Sequence, residues 1–248
     1  MRFIVVVTGY NCTKYVRACY ESIVAQTYRN FACVFVSDGS TDTTEYTIEK
    51  TVTDPRFFKI YHKKNEGAAK RRLEVLQNFG DKTDVVVLVG MDDRLLPNAL
   101  EKIAEQYVSG KWMTYGNWID QNGEGLPENF DLDFDAYVHN TRDYRQVKYR
   151  STAPNTFYKF LFDRIPSCDF KLFGKWIDST TESEVMFSCL EMCGKDRIGI
   201  IREPIYIYNK NLPSGTLKRL GVQYKYRIYE QIVKRPKRNL LTDNEFGK

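Results

Sequence analysis

An open α/β fold, with a doubly wound and mostly parallel sheet flanked by helices, is predicted by three features of the sequence. Strand-like and helix-like patterns alternate four times within the first 110 or so residues. The strand-like runs are continuously apolar, as in strands covered on both faces. Polar clusters follow the ends of these runs, where open α/β sheets bind their ligands.

The elements follow in order. Phe3 to Val7 is the first apolar run, and Val16, Cys19, Tyr20, Ile23 and Val24 then fall on one helical face. Phe31 to Val36 is a second strand, closed by Ser37-Asp38-Gly39-Ser40-Thr41-Asp42, a turn that also suits a helix cap. Phe57 to Tyr61 predicts a third strand and Ala68 to Leu76 a helix after Asn65-Glu66-Gly67. Val85 to Val89 is a fourth strand, ending at Gly90-Met91-Asp92-Asp93. The next helix carries Leu100, Ile103, Ala104 and Tyr107, with Pro97 expected in its first turn.

The second half is less periodic. Trp112 to Tyr115 and Ile205 to Tyr208 read as strands, and Val185 to Cys193 as a helix closed by Gly194. Residues 126–150 read as a loop or lid, and 126–160 as the wall of a second-substrate pocket. A basic helix carries Leu220, Tyr224, Ile228 and Ile232 on one face, and Lys234 to Arg238 reads as a solvated end. The expected division is a main domain over 1–218, with a ligand-binding half (1–110) and a second half (111–218), then a basic helix and tail over 219–248.

Composition narrows the function classes. Apolar content of 42% and charged content of 28% are those of a globule, not of a disordered chain. No run approaches the ~20 apolar residues of a membrane span. Six cysteines without a C-x-x-C pair and only two histidines argue against structural zinc and for free thiols, so a cytoplasmic setting is expected. The net charge of +5 is too modest to predict specific nucleic-acid binding. The basic tail allows at most a weak peripheral membrane contact.

Asp92-Asp93 are adjacent carboxylates at a buried strand's end, which repel and lose hydration unless a cation or donors compensate. A hard divalent ion shared with phosphate oxygens is one compensation, and the acidic start of a helix is the plainer one. Asp38 and Thr8-Gly9-Tyr10-Asn11 at neighbouring strand ends favour the ligand reading. Asp38 suits a nucleobase imide or a ribose hydroxyl, and Tyr10 suits stacking on a base. Lys70-Arg71-Arg72 offers cations to a diphosphate, or simply a solvated face.

These motifs, in order, resemble those of family-two glycosyltransferases of GT-A fold. The matching elements are Thr8-Gly9-Tyr10-Asn11, Ser22 to Phe31 (SIVAQTYRNF), Asp38-Gly39-Ser40-Thr41-Asp42, Asn65-Glu66-Gly67 and Met91-Asp92-Asp93. More loosely, the similarity runs on through Tyr115-Gly116-Asn117 to about Asn211. The resemblance implies a nucleotide-diphospho-sugar donor, with a UDP-sugar expected, and Mn²⁺ or Mg²⁺. It also implies an acceptor hydroxyl, expected on a glycan, and transfer with inversion. Thr8, Tyr10, Asp38 and Arg71 or Arg72 would line the nucleoside, and Asp92 and Asp93 the ribose and metal. Many members carry D-x-D-D, whereas Gly90 stands here in place of the first acid. The segment Gly174 to Gly194 resembles the region of the catalytic base. One alignment places Glu182 there and another places Ser183, with Glu184 and Asp178 in reserve. Lys218, or Arg219, would neutralise the leaving diphosphate.

Rival readings are a sugar nucleotidyltransferase, a nicotinamide-dependent dehydrogenase and a catalytically silent glycan- or partner-binding relative. The first would need a glycine-rich basic loop after strand one and the second a G-x-G-x-x-G there. Thr8-Gly9-Tyr10-Asn11 is neither.

Overall fold

The computed structural model describes residues 1–178, 180–210 and 215–247, the side chains of 215–220 excepted. Four strands, β1 (Phe3–Gly9), β2 (Phe31–Asp38), β3 (Phe57–His62) and β4 (Val85–Gly90), alternate with helices α1 (Val16–Val24), α2 (Thr44–Thr51) and α3 (Ala68–Asn78). The two-residue β5 (Arg94–Leu95), α4 (Ala99–Val108) and β6 (Met113–Asp120) follow. Beyond them lie α5 (Ala136–Thr141), β7 (Asn155–Tyr158) and the single turn α6 (Lys159–Phe162). A small ribbon of β8 (Lys171–Leu172) and β9 (Lys175–Trp176) precedes α7 (Thr181–Cys193), β10 (Ile198–Tyr208) and α8 (Gly215–Val233).

Among the described residues the main sheet runs β3-β2-β1-β4-β7-β6-β10-β5. β3, β2, β1 and β4 are parallel neighbours, and β6 and β10 are parallel to each other. β7 pairs antiparallel with both β4 and β6, and β5 antiparallel with β10. The expected mostly parallel sheet is therefore present, with two short antiparallel strands that periodicity does not reveal.

Continuous apolar runs arise because each central strand feeds two cores. Alternate side chains point to opposite faces, so Ile4, Val6, Val34, Val36, Val86 and Leu88 pack with α3 and α7. Phe3, Val5, Val7, Cys33, Phe35, Val87 and Val89 pack with α1 and α4 on the other face. All six cysteines are free thiols.

Several elements differ from the sequence expectation. Pro97 precedes α4 rather than entering it, because β5 and a turn occupy the residues before Ala99. The segment 126–150 is not a loose lid: Leu132, Phe134, Val138 and Tyr144 are buried in the core. Val138, on the short α5, is capped through its N–H by Asp135. The basic run is not a solvated end either. Arg235 pairs with Glu184 at 2.8 Å, and Arg238 pairs with Asp169 and Glu184. The predicted basic helix is present as α8, broken at Gly221 where φ is 75°. Its Ile228 and Ile232 are buried, whereas the Leu220 and Lys218 side chains lie outside the described residues. No helix among the described residues is long and apolar enough to cross a membrane.

Candidate active site

The carboxyl ends of β2, β1 and β4 are brought side by side by their register. Thr8 is level with Val36 on one side and Gly90 on the other, and its carbonyl accepts the Met91 N–H at 3.0 Å. Thr8 is buried and Tyr10 is exposed beside it. Asn11 adopts a left-handed conformation and its side-chain carbonyl accepts the Thr41 N–H at 2.8 Å, tying the first polar turn to the second.

Asp38 closes β2 and is buried. It accepts the backbone N–H of Gly67 at 2.8 Å and of Glu66 at 3.1 Å, and Arg71 Nε at 2.5 Å. Arg71 is 2% exposed and also reaches Glu66, Glu74 and the Lys64 carbonyl. Burial works against its charge, but Glu74 and Asp38 outweigh that and raise its pKa. Gly67 is required where it stands. Its φ of 92° suits glycine, and a Cβ there would lie 2.9 Å from Asp178 Cβ. Asp178 is thereby placed against the Asn65-Glu66-Gly67 turn that Asp38 holds.

Asp92 and Asp93 follow β4. Asp93 Oδ2 accepts the Tyr206 hydroxyl at 2.7 Å and Oδ1 accepts the Asn209 N–H at 2.8 Å. Asp92 makes no hydrogen bond or ion pair with another described residue, and burial raises its pKa. Burial first, and then the charge of Asp92, push Asp93 from 3.8 up to about 7. Gly90 explains how the pair fits: a Cβ there would stand 2.6 Å from Asp93 Oδ2 and 2.8 Å from Asp92 Oδ1. The position where relatives with D-x-D-D carry an acid is thus filled here by the two remaining carboxylates.

The raised Asp93 pKa has a definite sign. An acid whose folded pKa lies above its unfolded value stabilises the fold below the unfolded value and loses that contribution as pH rises through the folded one. Wild type is therefore expected to lose stability relative to Asp93→Asn as pH rises from 3.8 to about 7 without added cation, read as the difference in Tm. Parallel Tm profiles for the two proteins would contradict this.

Glu182 sits in the first turn of α7, after Thr180 in a left-handed conformation. Its Oε1 accepts Arg72 Nη1 at 2.6 Å, and Arg72 also donates to the Thr181 hydroxyl at 2.8 Å. Burial would raise the Glu182 pKa, but Arg72 and the hydrogen bonds around the carboxylate outweigh it and lower the value. The Glu182 side chain is 38% exposed, so the carboxylate is both ionised and accessible. Arg72 is buried, with its Nε lacking a hydrogen-bond partner among the described residues. Ser183 is buried beside Glu182. Glu184 does not join this group. It is fully buried on the far side of α7 with Arg145 (3.3 Å), Arg235 (2.8 Å), Arg238 (3.4 Å) and Ser188 (3.1 Å).

Sequence reasoning did not single out Tyr206, which buttresses Asp93, or Tyr208. Burial first, and then the charges of Asp93, Asp92 and Glu182, push the Tyr208 phenol up to about 12. Glu182 is thus within electrostatic range of Tyr208 and Asp93.

The pair fits a divalent cation in a specific sense. No group of three or more metal-ligating side chains occurs among the described residues. Two desolvated carboxylates, one of them without a partner among the described residues, match the sites in which Mg²⁺ or Mn²⁺ is completed by substrate phosphates.

A mixed sheet with its polar turns gathered in this way is a GT-A glycosyltransferase fold. The chain aligns with Staphylococcus aureus TarS 1–349 in complex with UDP-GlcNAc at a TM-score of 0.70 and 19% identity, over 94% of this chain and 65% of that one. It also aligns with glucosyl-3-phosphoglycerate synthase from Mycobacterium tuberculosis, in complex with Mn²⁺, UDP and glucosyl-3-phosphoglycerate. There the TM-score is 0.63 at 15% identity, over 95% and 81% of the two chains. Residues 4–168 match the family model Glycosyl transferase family 2, and the chain belongs to that family. Among curated relatives it is 31% identical over 105 residues to the glycosyltransferase GlyG of Streptococcus pneumoniae, and 33% over 125 residues to GlyA of the same organism. These matches span 41% and 49% of this chain, but only 34% and 18% of the relatives' lengths. Glu182 lies beyond the stretch matched by the family model.

Proposed function

We propose that the chain transfers a sugar from a nucleotide-diphospho-sugar, with UDP as the nucleotide, to an acceptor hydroxyl with inversion at the anomeric carbon. The observation that carries this reading is the Asp92–Asp93 pair at the end of β4, with Asp93 buried and held by Tyr206, level with the polar turns that close β1 and β2. The complexes of TarS with UDP-GlcNAc and of the synthase with UDP support the choice of nucleotide.

In this reading Thr8, Tyr10, Asp38 and Arg71 surround the nucleoside, with Arg71 holding the Asp38 carboxylate in place. Asp92 and Asp93 would hold Mn²⁺ or Mg²⁺, which would supply positive charge to offset that of the departing diphosphate. Glu182 takes the proton from the acceptor hydroxyl as that oxygen bonds to the anomeric carbon. The bond from that carbon to the diphosphate breaks with its electron pair on the leaving oxygen. Arg72 keeps Glu182 ionised and oriented. A glycan acceptor and a cytosolic setting, the latter supported by the free cysteines, complete the proposal.

Thermal-shift measurements with UDP, GDP, dTDP and their sugar conjugates, with and without Mn²⁺, test the donor site. At 100-fold over Kd a ligand adds about 2.7 kcal/mol, which raises the Tm of a domain of this size by roughly 5–10 °C. The expected result is a metal-dependent shift with uridine nucleotides that Asp92→Asn removes. No shift with any nucleotide would overturn the reading and favour a catalytically silent binding relative.

A further inference from the structure

An aromatic feature adjoins the acids on the same edge of the sheet. Tyr206 and Tyr208 are two residues apart in β10 and so project from one face. Tyr206 ends on Asp93, so Tyr208 stands one step further out, 44% exposed. On the neighbouring β6, Trp118 is level with Tyr206 and Asp120 with Tyr208. The Trp118 and Tyr208 rings lie 5.4 Å apart with their planes at 50°. Lys210 Nζ lies over the Trp118 ring, 4.8 Å from its centre, and 3.1 Å from Asp120 Oδ2, so that Tyr208 offers the more open of the two ring faces. Asp120 is fixed in turn by the backbone N–H groups of Asn122 at 2.8 Å and Glu124 at 3.0 Å.

We propose that Trp118 and Tyr208 form a stacking subsite for a pyranose ring of the acceptor, which makes the acceptor a carbohydrate. This rests on the donor-site reading above for the ring's role, though not for its binding. A pyranose presents a patch of C–H groups on its ring face and hydroxyls around its rim. Aromatic rings suit the first, and a fixed Asp–Lys pair beside them suits the second. Position along the sheet decides between donor and acceptor. Asp38 on β2 and Thr8 on β1 lie on one side of Asp92–Asp93, and Tyr208 and Trp118, on β10 and β6, lie on the other. A donor with its nucleoside at Asp38 and its diphosphate at the acidic pair leaves the aromatic pair for the molecule that approaches from beyond. The Lys210–Asp120 ion pair holds the rings' flank in place before any ligand arrives.

Saturation-transfer NMR with methyl β-glucoside, methyl β-galactoside and methyl N-acetyl-β-glucosaminide, with and without UDP and Mn²⁺, tests the subsite. At least one glycoside is expected to receive saturation on its ring C–H protons. Tyr208→Ala, a surface change, is expected to weaken that binding about tenfold, and Tyr208→Phe to restore it. Trp118→Ala is expected to act in the same direction without removing the thermal shift produced by UDP. No glycoside binding in wild type, or binding undiminished in Tyr208→Ala and Trp118→Ala, would overturn the proposal. A missing UDP shift alongside intact, Tyr208-dependent glycoside binding would instead sink the transferase reading and leave the carbohydrate subsite standing.

Discussion

Glu182→Gln is expected to lower the turnover of sugar transfer by roughly 10²–10⁴-fold, the usual contribution of a positioned base, while the nucleotide-induced thermal shift persists. Glutamine keeps the shape and an acceptor oxygen for Arg72, so the variant removes charge and little else. The Arg72 pair also predicts where the pH profile bends. In the proposed role Glu182 would act as its carboxylate, and Arg72 helps hold its pKa below the ordinary glutamate range. Activity should therefore fall only when pH drops through that lowered value. Arg72→Met should move the acidic limb upward, towards ordinary glutamate. If Glu182→Gln retains transfer within tenfold of wild type, the base lies elsewhere, and Asp178 beside Gly67 is the next carboxylate to change. If Arg72→Met loses activity with no movement of the limb, Arg72 serves only to hold α7.

What the sequence revealed was governed by how local each cause is. β1, β2 and β4 are legible because burial on both faces imposes an unbroken apolar run, and their terminal turns are legible because they need Gly, Asn, Asp and Thr. β7 was not legible. It has four residues, and its inward Thr156 is satisfied by the hydroxyls of Thr114 and Tyr107, on β6 and α4. The stretch 126–150 lacks a period because Leu132, Phe134, Val138 and Tyr144 enter the core from turns and short helical pieces. At the site, the acids were visible as residue types but their states were not. Arg72 and Glu182 are 110 positions apart, and only the tertiary fold brings them together. Glu182 and Glu184 look alike in sequence, two acids at a helix start. A helical rotation of about 200° between them sends one to Arg72 and the other into a nest of arginines. That nest also explains why Arg235 and Arg238 were read as solvated: their partner lies some fifty residues upstream.

The same nest carries the largest expected effect on stability. Glu184 is fully buried among Arg145, Arg235 and Arg238, and Glu191, two turns further along α7, neutralises Arg145 at 2.8 Å. Arg145 also donates to the Ile232 carbonyl at 2.9 Å, and Glu191 accepts the Arg238 N–H at 3.1 Å. The cluster therefore joins α7 to the end of α8 and to the segment that follows it. Removing one partner of a buried ion pair leaves uncompensated charge and costs about 3–5 kcal/mol. Glu184→Ala is accordingly expected to lower the urea midpoint by that amount of free energy, with the m-value unchanged because the same core is exposed on unfolding. Glu182→Gln, which alters a partly exposed pair, should shift the midpoint far less. The contrast separates the two acids: Glu184 fixes α7 through its ion pairs, whereas the role proposed for Glu182 is chemical. A loss below 1 kcal/mol in Glu184→Ala would mean that water or rearranged arginines replace the carboxylate. The anchoring of α7 would then have to come from its apolar contacts, Val185, Met186, Phe187 and Leu190, alone.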